Sequence, residues 1–307
     1  MDYNITCSPY LLKFVPKKFE CDKETLIYAF DLDDTLITTK SGNTHGKDNN
    51  DWKWLPNTNN GEDEYKNMFS LALKLLKNNK KSKLVIFTNQ GGIKPFNKGY
   101  LKNNVAKVKK SHADHIENRF KVFILKLLDI LNHFHNVLKE DRVLVYASIK
   151  TPLGIVKKQD PKVSQRSQLQ LNKIFKVKKS ASIMGSEKKT SVITSQITEE
   201  YYHDIPDHFL EIGTAKTIVS FQHYEKLSKK KLENHFNCLE YRKPRIGMLS
   251  ELYADFESKV SNVNIKFYAG DAAGRPKDFS DSDKIFAENG KLLFKTPEEI
   301  FLEYKDI

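Results

Sequence analysis

Two acids open the chemical reading. Asp31 and Asp33 stand in Asp31-Leu32-Asp33-Asp34-Thr35, at the end of the apolar run LIYAFDL (Leu26 to Leu32). Where an extended segment ends, residues i and i+2 face the same way, so the two carboxylates are presented to one point in space. Crowding them costs energy unless a cation or a proton is shared. That suits phosphoryl transfer: one carboxylate, held ionised by Mg2+, attacks phosphorus while the other keeps a proton for the leaving oxygen. Taken alone, the pattern equally describes an Asx-type turn after a strand. Its place at the end of a buried strand favours the chemistry.

Three further stretches suit the same reaction. The run KLVIF ends in Thr88-Asn89-Gln90-Gly91-Gly92. There a hydroxyl, backbone N–H groups and glycines that permit close approach make a phosphate cradle, with Thr88 and Asn89 as its polar side chains. In Arg242-Lys243-Pro244-Arg245 a helix is expected to start at the proline. Lys243, held just before it, neutralises charge on a transferring phosphoryl group, with the helix N-terminus assisting. Asp271, within Gly270-Asp271-Ala272-Ala273-Gly274-Arg275, is an acid among small residues at a strand end and a candidate ligand for a hard cation. Each stretch alone has an ordinary alternative, a turn or a solvated basic cluster. The ordered combination of all four is far more specific than any member.

Positioning these groups requires strands that end together. Four apolar runs qualify: residues 26–32, 83–88, 142–148 and 265–270. Between them, Tyr65, Met68, Phe69, Ala72, Leu75 and Leu76 predict a helix over 62–79, and Phe120, Phe123, Ile124, Leu127, Leu131 and Phe134 predict one over 112–138. Residues 215–236 also read as helical. Strands alternating with helices predict an α/β fold, a Rossmann-like parallel sheet with helices on both faces.

Composition bounds the rest. A net charge of +12 suggests a polyanionic partner, nucleic acid above all. Residues 151–198 carry ten Lys or Arg against Asp160 and Glu187, so eight of the twelve excess charges sit in one Ser-, Lys- and Gln-rich segment. It reads as a basic, flexible insertion within a single domain of 307 residues, either a solvated loop or a nucleic-acid contact. No apolar stretch is long enough to span a bilayer and the first twenty residues lack a secretory pattern, so cytosol or nucleus is expected. Cys7, Cys21 and Cys238 are too scattered for a disulfide framework or a zinc site. The nine histidines, His112 and His115 among them, read as surface residues. No Gly-x-x-x-x-Gly-Lys-Ser/Thr loop occurs, so no kinase activity of the P-loop type is expected.

The four strand-end motifs, in this order, resemble the haloacid dehalogenase superfamily, and within it the polynucleotide kinase 3′-phosphatases with their stand-alone fungal relatives. FDLDDTLI, DWKWLP, VIFTNQGGI, RKPRIGM and the long run from FYAGDAAGRP to Leu302 carry the resemblance, which covers Ala29 to Leu302 apart from the basic insertion. It implies a fold with little or no cap, open to a bulky DNA end. It also implies Asp31 as the nucleophile, Asp33 as the acid that protonates the departing 3′-oxygen and then activates water, and Thr88 and Lys243 as phosphate binders assisted by Arg242. Mg2+ would be held by Asp31, the backbone carbonyl of Asp33, and Asp271. Asp278 or Asp283 would be the second acid at the metal, and Arg275 and Lys277 would contact nucleic acid. Asp34 departs from the family pattern, which has glycine there. The implied protein is a nuclear monomer that removes 3′-phosphate from DNA ends at strand breaks. Two other readings stay open at this point: a small-molecule phosphomonoesterase of the same superfamily, and a non-catalytic DNA-end binding module.

Overall fold

Four strands lie side by side and run parallel: Leu26–Phe30 (β3), Lys83–Gln90 (β6), Val143–Ile149 (β7) and Asn264–Ala269 (β10). These are the four apolar runs of the sequence, shifted by a residue or two at their ends. In this computed structural model the described residues are 1–58 except 9, 20 and 23, then 66–94, 110–149, 209–212, 217–221, 241–257 and 263–304. Every residue of β7 and the first six of β6 are buried, as strands covered on both faces must be.

The sheet is wider than the four strands. Its order is β11-β10-β3-β6-β7-β2-β1-β9-β8, where Tyr3–Cys7 (β1) and Leu11–Pro16 (β2) form a hairpin and β2 pairs antiparallel with β7. Phe209–Ile212 (β8) and Thr217–Phe221 (β9) close one edge, and Phe294–Lys295 (β11) closes the other. Residues 217–221 are therefore strand, not the start of a helix. Thr217, Ile218 and Val219 are β-branched, and β9 runs parallel to β1, whose Ile5–Cys7 backbone supplies its hydrogen bonds. The remainder of that expected helix lies outside the described residues.

Chain direction assigns the helices. From β3 the path steps to β6 and on to β7, through Met68–Asn78 (α1) and Lys110–Leu138 (α2). It then returns past β3 to β10 and β11, with Gly247–Glu257 (α3) before β10 and Ser282–Gly290 (α4) before β11. Right-handed crossovers in opposite directions place α1 and α2 on one face and α3 and α4 on the other. One core cluster confirms the second face: Ile27, Ala29, Val85, Phe87, Leu144, Tyr146 and Tyr268 from alternate strand positions meet Met248, Leu252, Phe256 and Phe286. A last helix, Pro297–Glu303 (α5), begins with a capping box between Thr296 and Glu299.

α1 starts at Met68, with Lys66 and Asn67 outside it. Asn67 and Ser70 form a reciprocal cap that fixes the start there, and the expected residues before 66 lie outside the described ones. At its other end the buried Arg142 donates to the carbonyls of Leu76, Asn79 and Lys80, a cation against the negative end of the helix. Ile37–Thr38 (β4) and Lys53–Trp54 (β5) pair as a small ribbon directly after the Asp31 loop. The tryptophans of DWKWLP seat it. Trp54 stacks on Phe69 of α1, meets Phe134 of α2, and donates to His133 Nδ1 at 3.2 Å. His133 and His135, the latter bonded to Asp141, are thus partly buried packing residues, while His115 is exposed.

The chain divides into Met1–Pro152 with Tyr202–Ile307 and, separately, Leu153–Tyr201. All described residues belong to the first unit. The basic segment 151–198, expected as a flexible insertion, lies outside the described residues, as do most segments that bear on the expected lack of a cap. Among the described residues no helix is long and apolar enough to cross a membrane.

Candidate active site

The strand order reverses direction between β3 and β10, and beyond the C-terminal ends of strands at such a switch point is the usual ligand position in these sheets. Asp31 follows β3 there, its N–H bonded to the carbonyl of Ala269 at the end of β10, and Asp271 follows β10. Carboxylate oxygens of Asp31, Asp271 and Asp283 all lie within 4.8 Å of one another. Lys243 also reaches this cluster. Its Nζ stands 2.8 Å from Asp31 Oδ1 and 2.6 Å from Asp283 Oδ1, with its side chain 2% exposed.

Asp283, rather than Asp278, is the second acid that the fold brings here. It sits in the first turn of α4 and is fully satisfied: Oδ1 accepts from Lys243 and from the Tyr268 hydroxyl, and Oδ2 accepts from the N–H of Ala272. Gly270 makes this approach possible, since a Cβ there would overlap the Asp283 carboxyl group. Asp278 instead ties the loop after Asp271, accepting from the N–H groups of Ala273 and Arg275 and from Arg275 Nε. Arg275, expected to contact nucleic acid, is committed to that same loop through Asp278, Glu298 and the carbonyl of Asp271. Lys277 is exposed beside it.

Lys243 is fixed from below by Asn89, whose side-chain amide accepts from the Lys243 N–H at 2.9 Å and donates to its carbonyl at 3.1 Å. Asn89 therefore positions the lysine, a task different from the phosphate contact expected of it. Asn289 holds the carbonyl of Pro244, and the peptide between Lys243 and Pro244 is cis. With these backbone groups engaged by side chains, the helix begins only at Gly247, three residues beyond Pro244, and the expected help of its N-terminus at Lys243 falls away.

Asp33 stands apart from the buried cluster. Its side chain is 52% exposed and its carboxylate faces β6 and α2, accepting from Gln90 Nε2 at 2.7 Å and from Lys126 Nζ at 3.3 Å. Gln90 also donates to the buried Thr88 hydroxyl, linking the second motif to the first. Thr35 accounts for the last position of Asp-x-Asp-x-Thr, its hydroxyl pointing to Asp271 Oδ1 at 3.4 Å. Asp34 has φ +55°, in the left-handed region where glycine is favoured and Asp is among the better-tolerated substitutes. The glycines after Thr88 do permit a close approach, but by guanidinium groups: a Cβ on Gly91 would come within 3.0 Å of Arg242 Nη1.

Electrostatics separates the two parts. Burial pushes the Asp31 carboxyl well above its usual range, Lys243 opposes this, and Asp283 and Asp271 add to it. Burial, then the charges of Asp283 and Asp34, raises Asp271 to about 7. Burial disfavours the Lys243 ammonium, but Asp283 and Asp31 outweigh it and the net direction is upward. Tyr268 is pushed well above its ordinary value by burial and then by Asp283 and Asp31, so it remains a donor. Carboxylates crowded this closely ionise together only with a cation between them. Asp31 Oδ1 is also buried without an aligned hydrogen bond. The all-oxygen donor set of Asp31 and Asp271 fits a hard divalent ion such as Mg2+.

Sequence reasoning found Asp31, Asp33, Thr88, Lys243 and Asp271 and missed Gln90, Lys126 and Tyr268. Gln90 lies inside a motif already singled out. The other two sit on apolar runs and carry no local signal.

The chain is 28% identical to a polynucleotide 3′-phosphatase of Saccharomyces cerevisiae across 98% of its own length and 99% of the yeast protein. It is 27% identical to the polynucleotide 3′-phosphatase of Saccharomyces mikatae over a similar span, 98% of this chain and 96% of that one. It is also 46% identical over 63 residues to the polynucleotide 3′-phosphatase ZDP of Arabidopsis thaliana, covering 20% of this chain and 9% of that protein. The family model described as polynucleotide kinase 3 phosphatase matches residues 26–301, from the first strand of the site to the last helix, and the chain belongs to that family.

Proposed function

We propose that this chain is a Mg2+-dependent polynucleotide 3′-phosphatase of the haloacid dehalogenase type that removes 3′-phosphate from DNA ends during strand-break repair. The observation that carries the reading is the meeting of Lys243, Asp31, Asp271 and Asp283 at the point where the sheet reverses direction. Asp31, Asp271 and the backbone carbonyl of Asp33 would hold Mg2+. When bound, the ion keeps Asp31 ionised and draws charge from the phosphoryl oxygens.

Asp31 attacks phosphorus through a carboxylate oxygen, forming an acyl-phosphate bond as the bond from phosphorus to the 3′-oxygen breaks. Lys243 and the Thr88 hydroxyl hold the equatorial oxygens, and Arg242 assists. Asp33, partly exposed and oriented by Gln90 and Lys126, gives its proton to the departing 3′-oxygen. It then takes a proton from water, which attacks phosphorus, releases phosphate and restores Asp31. Asp283 and Tyr268 keep the lysine charged and aimed. The reading includes a nuclear location, a monomeric enzyme and no 5′-kinase activity.

Phosphate release from a 3′-phosphorylated nick, with Mg2+ or with chelator, tests the proposal. Release should require the metal and vanish in Asp31→Asn, while that variant still binds the nicked DNA. Equal release in chelator, or an active Asp31→Asn enzyme, would sink it.

A further inference from the structure

Two arginines at the rim of the site have no charged partner among the described residues. Arg242 lies against Gly91, and Arg119 of α2 lies against Gly92, where a Cβ would come within 2.8 Å of Arg119 Nη2. Consecutive glycines, about 3.8 Å apart at Cα, thus carry one guanidinium each. Neither arginine forms an ion pair with a described residue. Glu117, the nearest acid on α2, is already paired with Lys121. A guanidinium with no carboxylate partner among the described residues is suited to an anion from outside the molecule.

Their place in the fold says which anion. Arg119, Phe123 and Lys126 share one face of α2, at helical spacings of four and three residues. Lys126 crosses the Phe123 ring and reaches Asp33 at the reacting centre. Arg119 lies seven residues earlier on the same face, about 10.5 Å along the axis. In a strand whose 3′-phosphate is seated at Asp31, the next charged group is the internucleotide phosphodiester, one nucleotide away, and Arg119 is a cation on the same helix face as the lysine that reaches the centre.

We propose that Arg119 grips the phosphodiester next to the reacting 3′-phosphate and so makes the enzyme prefer a polynucleotide to a mononucleotide. The inference rests on the phosphatase reading above. It concerns which substrate is held and leaves the chemistry to Asp31 and Asp33.

The test compares wild type with Arg119→Gln on a 3′-phosphorylated oligonucleotide and on a 3′-phosphorylated mononucleoside, across a range of salt. For the oligonucleotide KM should rise about tenfold with kcat within about twofold, the mark of binding lost equally from ground and transition states. The kcat/KM ratio of oligonucleotide to mononucleoside should fall about tenfold, and the slope of log KM against log salt should drop by about one. Gly92→Ala, which displaces the guanidinium without changing charge, should raise KM in the same direction by less. Equal losses on the two substrates, or an unchanged salt slope, would overturn the assignment. If the wild type releases phosphate from neither substrate, the phosphatase reading fails instead. Fluorescence anisotropy with a labelled oligonucleotide then decides Arg119 separately, an unchanged Kd in Arg119→Gln removing it.

Discussion

Two lysines, each paired with an aspartate of the same short motif, stand in opposite surroundings. Lys243 is 2% exposed and shared between Asp31 and Asp283, whereas Lys126 is 15% exposed and faces Asp33, itself 52% exposed. The first pair is sealed with Tyr268 and fixed by backbone contacts from Asn89. The second is an adjustable contact at the rim. A group that stabilises charge in place gains from exclusion of water, because its field is then little screened. A group that passes protons to a leaving oxygen and from water must remain within reach of solvent. One site thus holds a dry half for charge and a wet half for protons.

Truncation should expose the contrast. Lys243→Ala leaves Asp31 and Asp283 buried without their cation, so an unfolding loss of about 3–5 kcal/mol is expected, with turnover down at least 10²-fold. Lys126→Ala should lower stability by no more than about 1 kcal/mol, as partly exposed pairs do, and affect turnover far less. Denaturant titration and steady-state kinetics on the two variants check both values. Equal destabilisation would erase the distinction between the halves.

The dry half also depends on a missing side chain. Gly270→Ala drives a methyl group into the Asp283 carboxyl, which cannot retreat because Lys243, Tyr268 and Ala272 all hold it. A loss of about 1–3 kcal/mol is expected, together with weaker Mg2+ binding, measured by thermal denaturation with and without the ion.

How much of this is legible in the sequence follows from how each feature is encoded. β6 and β7 are readable because strands buried on both faces leave continuous apolar runs. The acids are readable because they stand where those runs stop. Asp283 cannot be separated from Asp278, since the choice depends on the path of the loop through Gly274, whose φ of +77° no spacing rule supplies. Lys126 and Asp33 are 93 positions apart in sequence, and Lys243 and Tyr268 are 25 apart, so only the fold makes them neighbours. The hairpin of β1 and β2 does carry a signal, Leu12 and Phe14 buried with Lys13 between them, which a reading of the N-terminus for targeting alone passes over. Residues 217–221 mislead because a short β-branched run fits either period until its partner strands, β1 and β8, are known.

Protons sharpen the comparison further. A carboxyl whose folded pKa is raised binds its proton more tightly when folded. Its stabilising contribution is therefore complete below its ordinary value near 4 and is lost as pH rises through the folded value. For Asp271 that loss ends near 7, and Asp31 shifts in the same direction. The metal-free protein is expected to lose melting temperature between pH 5 and pH 8, and added Mg2+ should raise it more at pH 8 than at pH 6. Differential scanning fluorimetry over that range checks the sign. A metal effect independent of pH would mean the ion binds elsewhere.

The smallest expected effect lies between the halves, at Asp34. Its φ of +55° is one that glycine adopts freely, that Asp tolerates through local hydrogen bonding, and that alanine resists by about 1 kcal/mol. Here the compensating bond is visible, Asp34 Oδ1 accepting from the Thr38 hydroxyl at 3.0 Å. Asp34→Gly loses that bond but relieves the backbone and should leave stability within about 1 kcal/mol of wild type, whereas Asp34→Ala loses the bond and keeps the strain. Because the Asp34 charge also helps raise the Asp271 carboxyl, both variants should shift the pH response of melting to lower pH by the same amount. Backbone geometry thus separates the two variants while charge treats them alike, and measuring stability and its pH dependence together tells which of the two the acid at this position serves.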